Sequence, residues 1–341
     1  MLEYPFLYDH PHRTFTMLGK HLASRTRHAL TLCAALASTL PAAASDYPAR
    51  PIRLVLGFTA GGPTDIPARF IAERLTTSLG KPVLVENKPG AGALLAAMDV
   101  LSHPRDGYDL LLCTYFDAVN TLLYRSAKYK LSDLAGISQI ASYSYAVAVS
   151  NTIPAHTFVE FIDYTKAHPG EINYGHLGAG STQNLLAKKL EKLTGMRMMP
   201  IPYKGTPEAL QEVIAGRTHL MIGPPLSMLP VYQSRQVKVL AVTGSERLAS
   251  MPEVPTLIES GIPFVASAWL GVCAGSGTPQ SIIDFLSTRL EEIIKSQDYR
   301  AMIEKSGSVA VFSSPQAFQK LIEATAADAA PIIREFGMQL D

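Results

Sequence analysis

The sequence predicts an α/β protein whose main sheet is doubly wound. Short apolar runs, typical of buried strands, end at glycine-containing turns, and each turn leads into a segment with helical spacing of apolar residues. The pattern begins at residue 52, and its third strand ends near residue 114. Ligands of such sheets lie beyond the carboxyl ends of the strands, where these turns are found.

The first unit is expected to form one wall of a ligand site. Residues 52–56 read as a mostly apolar strand, which Gly61-Gly62-Pro63 ends, and Thr64 or Asp65 can cap the helix that follows. A helix start presents unpaired N–H groups and about half a positive charge, so an anion is stabilised there. The alternative is that the two glycines only make a tight turn.

A nucleotide site is not favoured at this turn. The spacing of Gly57, Gly61 and Gly62 differs from G-x-G-x-x-G, and Pro63 stands where a P-loop requires lysine. The turn therefore lacks the ammonium group that neutralises phosphate.

The next two units repeat the order of the first. Residues 82–87 predict a strand, 89–93 a turn and 94–101 a helix, and residues 110–114 predict a third buried strand. Its exit loop, residues 115–120, should border the same crevice as the first turn, because parallel strands end at the same edge of a sheet.

A second set of units follows from residue 145. A strand is predicted at 145–149 and a helix at 157–167, and the loop 178–182 then delivers a hydroxyl-capped helix at 183–194. This second loop repeats the device of the first turn. The remaining elements are strands at 219–222, 237–243 and 269–274 and helices at 207–215, 279–296 and 315–336.

The first 44 residues are interpreted as a secretory signal peptide. Arg25 and Arg27 precede an apolar run at 29–40, and Pro41-Ala42-Ala43-Ala44 supplies a cleavage site, with Met17 as an alternative start. The run is too short to cross a bilayer of roughly 30 Å, so no membrane insertion is expected after cleavage.

Composition and charge exclude several classes of protein. The chain has 341 residues, of which 47% are hydrophobic and 17% charged, enough for two ordinary domains. The full chain carries a formal charge of +1, and removing residues 1–44 takes away four basic and two acidic residues and leaves −1. This balance argues against a nucleic-acid partner, which favours a basic face.

The two mature cysteines, Cys113 and Cys273, can pair in an oxidising compartment, but both lie in apolar, strand-like runs. We therefore expect buried thiols.

No constellation for catalysis, metal binding or a cofactor is found. Ser181 lacks the G-x-S-x-G context, no H-E-x-x-H or C-x-x-C motif occurs, and the mature histidines show no metal-ligand spacing. An enzyme, including a hydrolase, is therefore not expected, and no cofactor is predicted.

The order of motifs resembles the Bug (TctC-like) family, extracytoplasmic solute-binding proteins of tripartite tricarboxylate transporters. The resemblance covers residues 46–341. The motifs are Tyr47-Pro48-Ala49-Arg50-Pro51-Ile52, Gly61-Gly62-Pro63-Thr64-Asp65, Val85 through Gly92, Asp106-Gly107-Tyr108, Pro202-Tyr203-Lys204-Gly205, Pro252-Glu253-Val254-Pro255-Thr256 and Trp269 through Pro279.

The resemblance implies a two-lobed periplasmic-binding-protein fold of type II, the venus flytrap, in which each lobe is a doubly wound mixed sheet. Two crossover strands, near 145–149 and 269–274, would join a first lobe of residues 46–146 plus 267–341 to a second lobe of residues 147–266. A periplasmic monomer would then hold a small carboxylate-bearing metabolite in the cleft and deliver it to membrane permease subunits. The alternative is an accessory protein that reports its ligand to a membrane sensor.

The family's ligand residues carry over to two loops and their neighbours. Backbone amides of the first loop and hydroxyls and amides at the second helix start would hold a carboxylate. Tyr115, Phe116 and Trp269 would wall the pocket, with a place in the core as the alternative for Trp269. The predicted ligand-binding residues are Phe58, Thr59, Ala60, Gly61, Gly62, Thr64, Asp65, Tyr115, Asp117, His176, Gly178, Gly180, Ser181, Thr182, Tyr203 and Gly223.

Three positions leave the ligand open. His176 stands where many relatives carry serine, and it is either a ligand contact or a solvated loop residue. Gly223 stands where relatives often have an aspartate that meets an ammonium group. Asp117 is then the acid left for that role, with a turn-forming aspartate as the alternative.

Overall fold

The computed structural model describes residues 47–178, 180–305 and 307–340. The predicted signal peptide, residues 1–44, lies outside the described residues.

The described residues form eleven strands and ten α-helices. The strands are β1 (Ile52–Leu56), β2 (Val83–Asn87), β3 (Asp109–Thr114), β4 (Leu134–Ser144), β5 (Ala146–Ser150), β6 (Asn173–His176), β7 (Met199–Pro202), β8 (Leu220–Gly223), β9 (Val237–Val242), β10 (Ser267–Gly275) and β11 (Val309–Ala310). The helices are α1 (Asp65–Leu79), α2 (Leu94–Leu101), α3 (Tyr115–Leu123), α4 (Phe158–Ala167), α5 (Thr182–Thr194), α6 (Thr206–Ile214), α7 (Pro225–Gln233), α8 (Gln280–Lys295), α9 (Gln297–Lys305) and α10 (Pro315–Glu335).

The strands form two mixed sheets. The six-stranded sheet has the order β11-β4-β10-β3-β1-β2, in which β1 runs parallel to β2 and β3, and β10 runs antiparallel to β3 and β4. The five-stranded sheet has the order β7-β6-β8-β5-β9, with β6 parallel to β7 and β8, and β5 antiparallel to β8 and β9. We call the first sheet with its helices the first lobe, and the second sheet with its helices the second lobe.

The chain passes between the sheets twice. It leaves the first sheet between Ser144 and Ala146, and it returns between Val242 and Ser267. Both passages lie beside the predicted crossover strands: residues 146–149 belong to β5, directly after the first passage, and residues 269–274 lie within β10, with which the second passage ends. The exact limits of the two lobes stay a prediction.

The glycine at the end of β1 permits a close approach that positions the first loop. A Cβ atom on Gly57 would lie 2.2 Å from the Cβ of Ala93, which ends the short 3-10 helix at Ala91–Ala93. A side chain at residue 57 would therefore push apart the turns that follow β1 and β2.

Several elements differ from the sequence prediction, and two of them, β4 and α3, bear on the site. β4 was not predicted, because its apolar residues are interrupted by Ser138 and Gln139, which are buried and hydrogen-bonded. The predicted loop 115–120 is instead part of α3, which starts directly after β3 with Thr114 as its N-cap. No glycine or proline separates β3 from α3, so the apolar pattern does not show where the strand ends and the helix begins.

The expectation of free buried thiols is wrong. Cys113 and Cys273 are both fully buried, and they form a disulfide between the neighbouring strands β3 and β10, with their Cα atoms 5.8 Å apart. This bond links two segments that are 160 residues apart in the sequence.

Two negative findings concern the described residues only. None of their helices combines the length and apolar character needed to cross a membrane. In the same residues, no group of three or more histidine, cysteine or acidic side chains is arranged to hold a metal ion.

Candidate functional site

A cavity of about 200 Å³ is lined by residues of both lobes. The first lobe contributes the loop after β1, the start of α3 and part of β10, and the second lobe contributes the loop after β6, the start of α5 and the residue after β8. None of the lining residues that the structure describes is charged. They are Phe58, Thr59, Gly62, Pro63, Thr64, Thr114, Tyr115, Phe116, Tyr143, Tyr145, Leu177, Gln183, Thr206, Pro224, Trp269 and Leu270.

Asp65 shapes the first loop from behind and does not line the cavity. Its carboxylate accepts 2.8 Å hydrogen bonds from the amide of Gly61 and from Nε of Arg69, and a 2.9 Å bond from Nδ2 of Asn87. Asn87 also donates to the carbonyl of Phe58 at 2.9 Å. Burial raises the pKa of Asp65, but these hydrogen bonds outweigh it and hold the pKa below its usual value.

The start of α1 offers fewer amides than the sequence suggested. The N–H groups of Asp65 and Ile66 both donate to the carbonyl of Gly62, at 3.0 and 3.2 Å. Thr64 is the N-cap residue, yet its side chain makes no capping bond; its Oγ1 is buried without a partner, and the residue lines the cavity. The Thr64 hydroxyl is therefore a polar group that the first lobe offers to a ligand.

Not all of the predicted first-loop residues reach the cavity. Phe58, Thr59, Gly62 and Thr64 line it. Ala60 and Gly61 are solvent-exposed and do not line it, and Gly61 adopts a positive φ of 77° that favours glycine. Ala60 and Gly61 thus complete the turn.

The second loop ends in a capped helix, as predicted. Oγ of Ser181 accepts 3.3 Å hydrogen bonds from the amides of Asn184 and Leu177, and the Leu185 amide donates to the Ser181 carbonyl at 3.0 Å. The amides of Thr182 and Gln183 lie in the first turn, where α-helices leave N–H groups without intrahelical partners.

Gln183 was not predicted as a site residue. It lines the cavity, only 5% of it is exposed, and its Oε1 is buried without a hydrogen-bond partner. A buried amide oxygen without a partner is unusual in a protein interior, so this side chain is a candidate ligand contact. The residue could have been found in the sequence from its place two residues after the N-cap.

A second cavity of about 190 Å³ adjoins the first and shares Phe58, Phe116 and Leu177 with it. The predicted residues Gly178, Gly180 and Ser181 line this second cavity, together with Gly92, Asn120, Tyr124 and Leu340. The second loop therefore faces the interlobe cleft, but mainly beside the first cavity. Thr182 is buried and lines neither cavity.

His176 is neither a solvated loop residue nor a cavity residue. It is buried, and its Nδ1 lies 2.8 Å from the carbonyl oxygen and 3.1 Å from the amide nitrogen of Gly178. Burial lowers the pKa of His176, and nearby Lys188 lowers it further, although the Gly178 carbonyl opposes both. The neutral ring therefore fixes the second loop.

The structure does not support an ammonium-binding role for Asp117. Asp117 is the third residue of α3 and forms a capping box, in which its Oδ2 accepts hydrogen bonds from the amide and the hydroxyl of Thr114, at 2.7 and 3.0 Å. The residue is fully buried and lines neither cavity. Burial raises its pKa to about 7, against the lowering effect of these bonds.

Tyr203 and Gly223 also lie outside the two cavities. The Tyr203 ring packs near Gly175, and its hydroxyl pairs with Oγ1 of Thr218 at 2.5 Å. A Cβ atom on Gly223 would lie 2.3 Å from Cε of Met228. An aspartate at residue 223 would therefore require Met228 to move.

Six aromatic side chains surround the first cavity. Phe58 and Phe116 meet edge to face with centroids 5.8 Å apart, and Tyr143 and Tyr145 do so at 5.4 Å. Nε1 of Trp269 donates to Thr325 at 3.0 Å, so this polar atom is already paired. The sixth is Tyr115. Tyr143 lies near the end of β4, a strand that the sequence does not predict, and Tyr145 forms the first passage between the sheets.

The family profile described as "Tripartite tricarboxylate transporter family receptor" (TctC) matches residues 67–338. The chain belongs to the TctC family. It is similar to the UPF0065 protein in the gbd 5'region of Cupriavidus necator, with 33% identity over 326 residues that cover 94% of this chain and 99% of the relative. It is also similar to protein BugT of Bordetella pertussis, with 33% identity over 304 residues that cover 88% of this chain and 93% of that protein.

Solved TctC-type structures share the fold. Rpa4515 of R. palustris with adipate has a TM-score of 0.77 and 30% identity, covering 86% of this chain and 99% of that one. MatC of Rhodopseudomonas palustris with bound malate has a TM-score of 0.73 and 26% identity, covering 84% and 100%. The predicted family and the two-lobed periplasmic-binding-protein fold are confirmed, and the chain is a solute-binding receptor and not an enzyme.

Proposed function

We propose that this TctC-family receptor captures a small carboxylate-bearing metabolite in the cleft between its lobes and delivers it to the permease of a tripartite tricarboxylate-type transporter. The observation that carries the proposal is the uncharged cavity lined by both lobes, in which Thr64 and Gln183 hold buried polar atoms without partners. A buried polar atom without a partner costs free energy, and a ligand that completes its hydrogen bonding recovers it; toward a carboxylate, the Gln183 amide must present its NH₂ end.

A carboxylate can be held here without a cation. The Thr64 hydroxyl donates one hydrogen bond, the Gln183 amide donates through its NH₂ end once it is turned toward the ligand, and the first turn of α5 adds backbone N–H groups. Hydrogen bonds to a charged group contribute about 1.5–3 kcal/mol each, and micromolar affinity requires about −8 kcal/mol in total. A few such bonds plus closure of the cleft meet that requirement.

Closure would link binding to recognition by the permease. Thr64 belongs to the first lobe and Gln183 to the second, so one ligand that contacts both stabilises the closed arrangement over an open one. Closure also excludes water and strengthens each hydrogen bond inside the cleft.

Two further observations support the proposal, one on the ligand and one on the compartment. Adipate and malate, the ligands named for the two similar structures, both carry carboxylate groups. The disulfide between Cys113 and Cys273 is of a kind that persists in oxidising compartments, which agrees with the proposed export to the periplasm.

Calorimetric titration with small carboxylic acids and with their primary amides tests the binding step. We expect at least one carboxylate to bind, its amide to bind at least tenfold more weakly, and Thr64→Val to weaken the carboxylate about tenfold. Thr77→Val, at an exposed residue of the same helix, should leave the affinity unchanged. Equal affinities of acids and amides would overturn carboxylate recognition.

Delivery to the permease is tested by deleting the gene for this protein in the organism that makes it and measuring uptake of the acid that the protein binds. We expect uptake to fall and to be restored by the wild-type chain but only weakly by Thr64→Val. Normal uptake with loss of the transcriptional response to the acid would instead assign the protein to a membrane sensor.

A further inference from the structure

We infer that the ligand combines one carboxylate with one aromatic ring. This inference rests on the proposed function and narrows its substrate class. Six aromatic side chains form most of the cavity wall, and the lining residues Thr64 and Gln183 carry buried polar atoms without partners. The wall therefore suits an aromatic ring, and these polar side chains suit a carboxylate.

The wall is suited to a flat ring. Phe116 contacts both Phe58 and Tyr115 edge to face, with centroids 5.8 and 6.4 Å apart. Aromatic rings prefer edge-to-face and offset contacts, because their faces and edges carry opposite partial charge. A ligand ring placed among these side chains would extend a cluster that already has this geometry.

The polar atoms on the aromatic wall do not compete with this use. The Trp269 Nε1–H is already paired with Thr325, which leaves its ring for the cavity. Burial raises the pKa values of Tyr115 and Tyr145, so both phenols stay neutral and carry no charge that would repel a carboxylate.

A second charged group on the ligand finds no counter-charge among the described residues that line either cavity. The two acids of the neighbouring elements are held elsewhere, because Asp65 is bonded to Gly61, Arg69 and Asn87, and Asp117 is fully buried in its capping box. Burying an unpaired charge is costly, so a dicarboxylate or an amino acid is disfavoured relative to a monocarboxylate.

The cavity size agrees with a single ring. Its volume of about 200 Å³ is below the roughly 300–1,000 Å³ of pockets that hold drug-sized molecules. The adjoining cavity of about 190 Å³ gives room for a substituent near Asn120 and Ser181.

The protein carries its own reporter for a test. Trp269 is the one tryptophan of the chain and lines the cavity, so its emission reports occupancy. We would titrate the protein with benzoate, cyclohexanecarboxylate, adipate and benzamide, and confirm each affinity by calorimetry. Benzoate should bind most tightly, at least threefold better than cyclohexanecarboxylate and at least tenfold better than adipate and benzamide.

The outcomes separate the two proposals. Tighter binding of adipate or cyclohexanecarboxylate than of benzoate would overturn the aromatic class and leave carboxylate capture intact. Benzamide binding as tightly as benzoate, with no other carboxylate bound, would overturn carboxylate capture itself.

A pair of variants tests the wall directly. Phe116→Leu should weaken benzoate about tenfold and change adipate less than threefold, whereas Phe336→Leu, at an exposed position after α10, should change neither. Circular dichroism and the melting temperature show whether a variant has a folding defect. The affinities of Tyr143→Leu for benzoate and adipate give a second test of the same wall. Equal losses for benzoate and adipate in both wall variants would contradict the aromatic contact.

Discussion

The carboxylate of Asp65 accepts a 2.8 Å hydrogen bond from the amide of Gly61, so the first residue of α1 fixes the loop that precedes it. This contact takes the Gly61 N–H away from the cleft and leaves the loop to present Thr64. The residue that the sequence suggested as a ligand contact thus acts behind the cavity wall.

Replacing Asp65 should loosen the loop and weaken binding. Asp65→Ala removes the acceptor of Gly61, Arg69 and Asn87, and we expect a loss of about 1–3 kcal/mol in the free energy of unfolding and about tenfold weaker carboxylate binding. Arg74 lies on the same helix as Asp65 and pairs with the exposed Asp298 of α9, so Asp298→Ala is the matched control and should leave the affinity unchanged. Unchanged affinity in Asp65→Ala would contradict a role in shaping the loop.

Asp65 also predicts a dependence of stability on acid. Because its pKa is lower in the folded protein than in the unfolded chain, its stabilisation is complete above the unfolded value of about 3.9 and is lost as the pH falls through the folded value. Denaturant unfolding between pH 2 and 6 should show a shallower fall in Asp65→Asn than in the wild type. Identical slopes would contradict the assignment.

Asp117 predicts the opposite slope at higher pH. Its folded pKa of about 7 exceeds the unfolded value of about 3.9, so the folded protein binds more protons between these values and stability falls as the pH rises toward 7. Asp117→Asn should remove this slope, since the amide oxygen still accepts from Thr114. Asp133→Asn, at a partly exposed capping-box residue, serves as the control and should keep the slope.

The N-cap of α5 should matter for both folding and binding. Ser181→Ala removes the acceptor of two amides, and we expect a loss of about 0.5–2 kcal/mol in stability together with weaker ligand binding. Thr157→Ala removes an equivalent cap from α4, outside the cleft, and should lower stability without changing affinity. If Ser181→Ala binds the ligand as tightly as Thr157→Ala does, the start of α5 does not contribute to the site.

The disulfide and the proposed removal of residues 1–44, which include Cys33, together predict that the mature protein has no titratable thiol when unfolded. Cys113→Ala with Cys273→Ala should lower the free energy of unfolding by about 2–4 kcal/mol, and a reducing agent should destabilise the wild type but not the double variant. Two thiols detected in the unfolded mature protein would show that the bond does not form.

Local signals predicted the parts of the site that depend on neighbouring residues in the chain. The strand at 52–56, the glycine turn after it and the Ser181 cap were recognised because apolar spacing and capping chemistry act over a few residues. The loop residues Thr59, Gly62 and Thr64, which line the cavity, are predicted instead from the resemblance to the family.

Long-range contacts decide the rest, and the sequence alone did not reveal them. β4 is a strand because it pairs with β10, more than a hundred residues away, and this pairing brings Tyr143 to the cavity. The disulfide likewise forms because β3 and β10 are neighbours in the first sheet, although they are far apart in the sequence. The sequence leaves the roles of Asp117 and His176 open, because burial, which no local pattern reports, makes them structural residues.

A crystal structure of the protein with its tightest-binding carboxylate tests the central proposal most directly. We expect the carboxylate between the two lobes, with its oxygens within hydrogen-bond distance of the Thr64 hydroxyl and of the first turn of α5. A ligand bound outside this cleft, or held there by a charged side chain, would contradict recognition by neutral donors from both lobes.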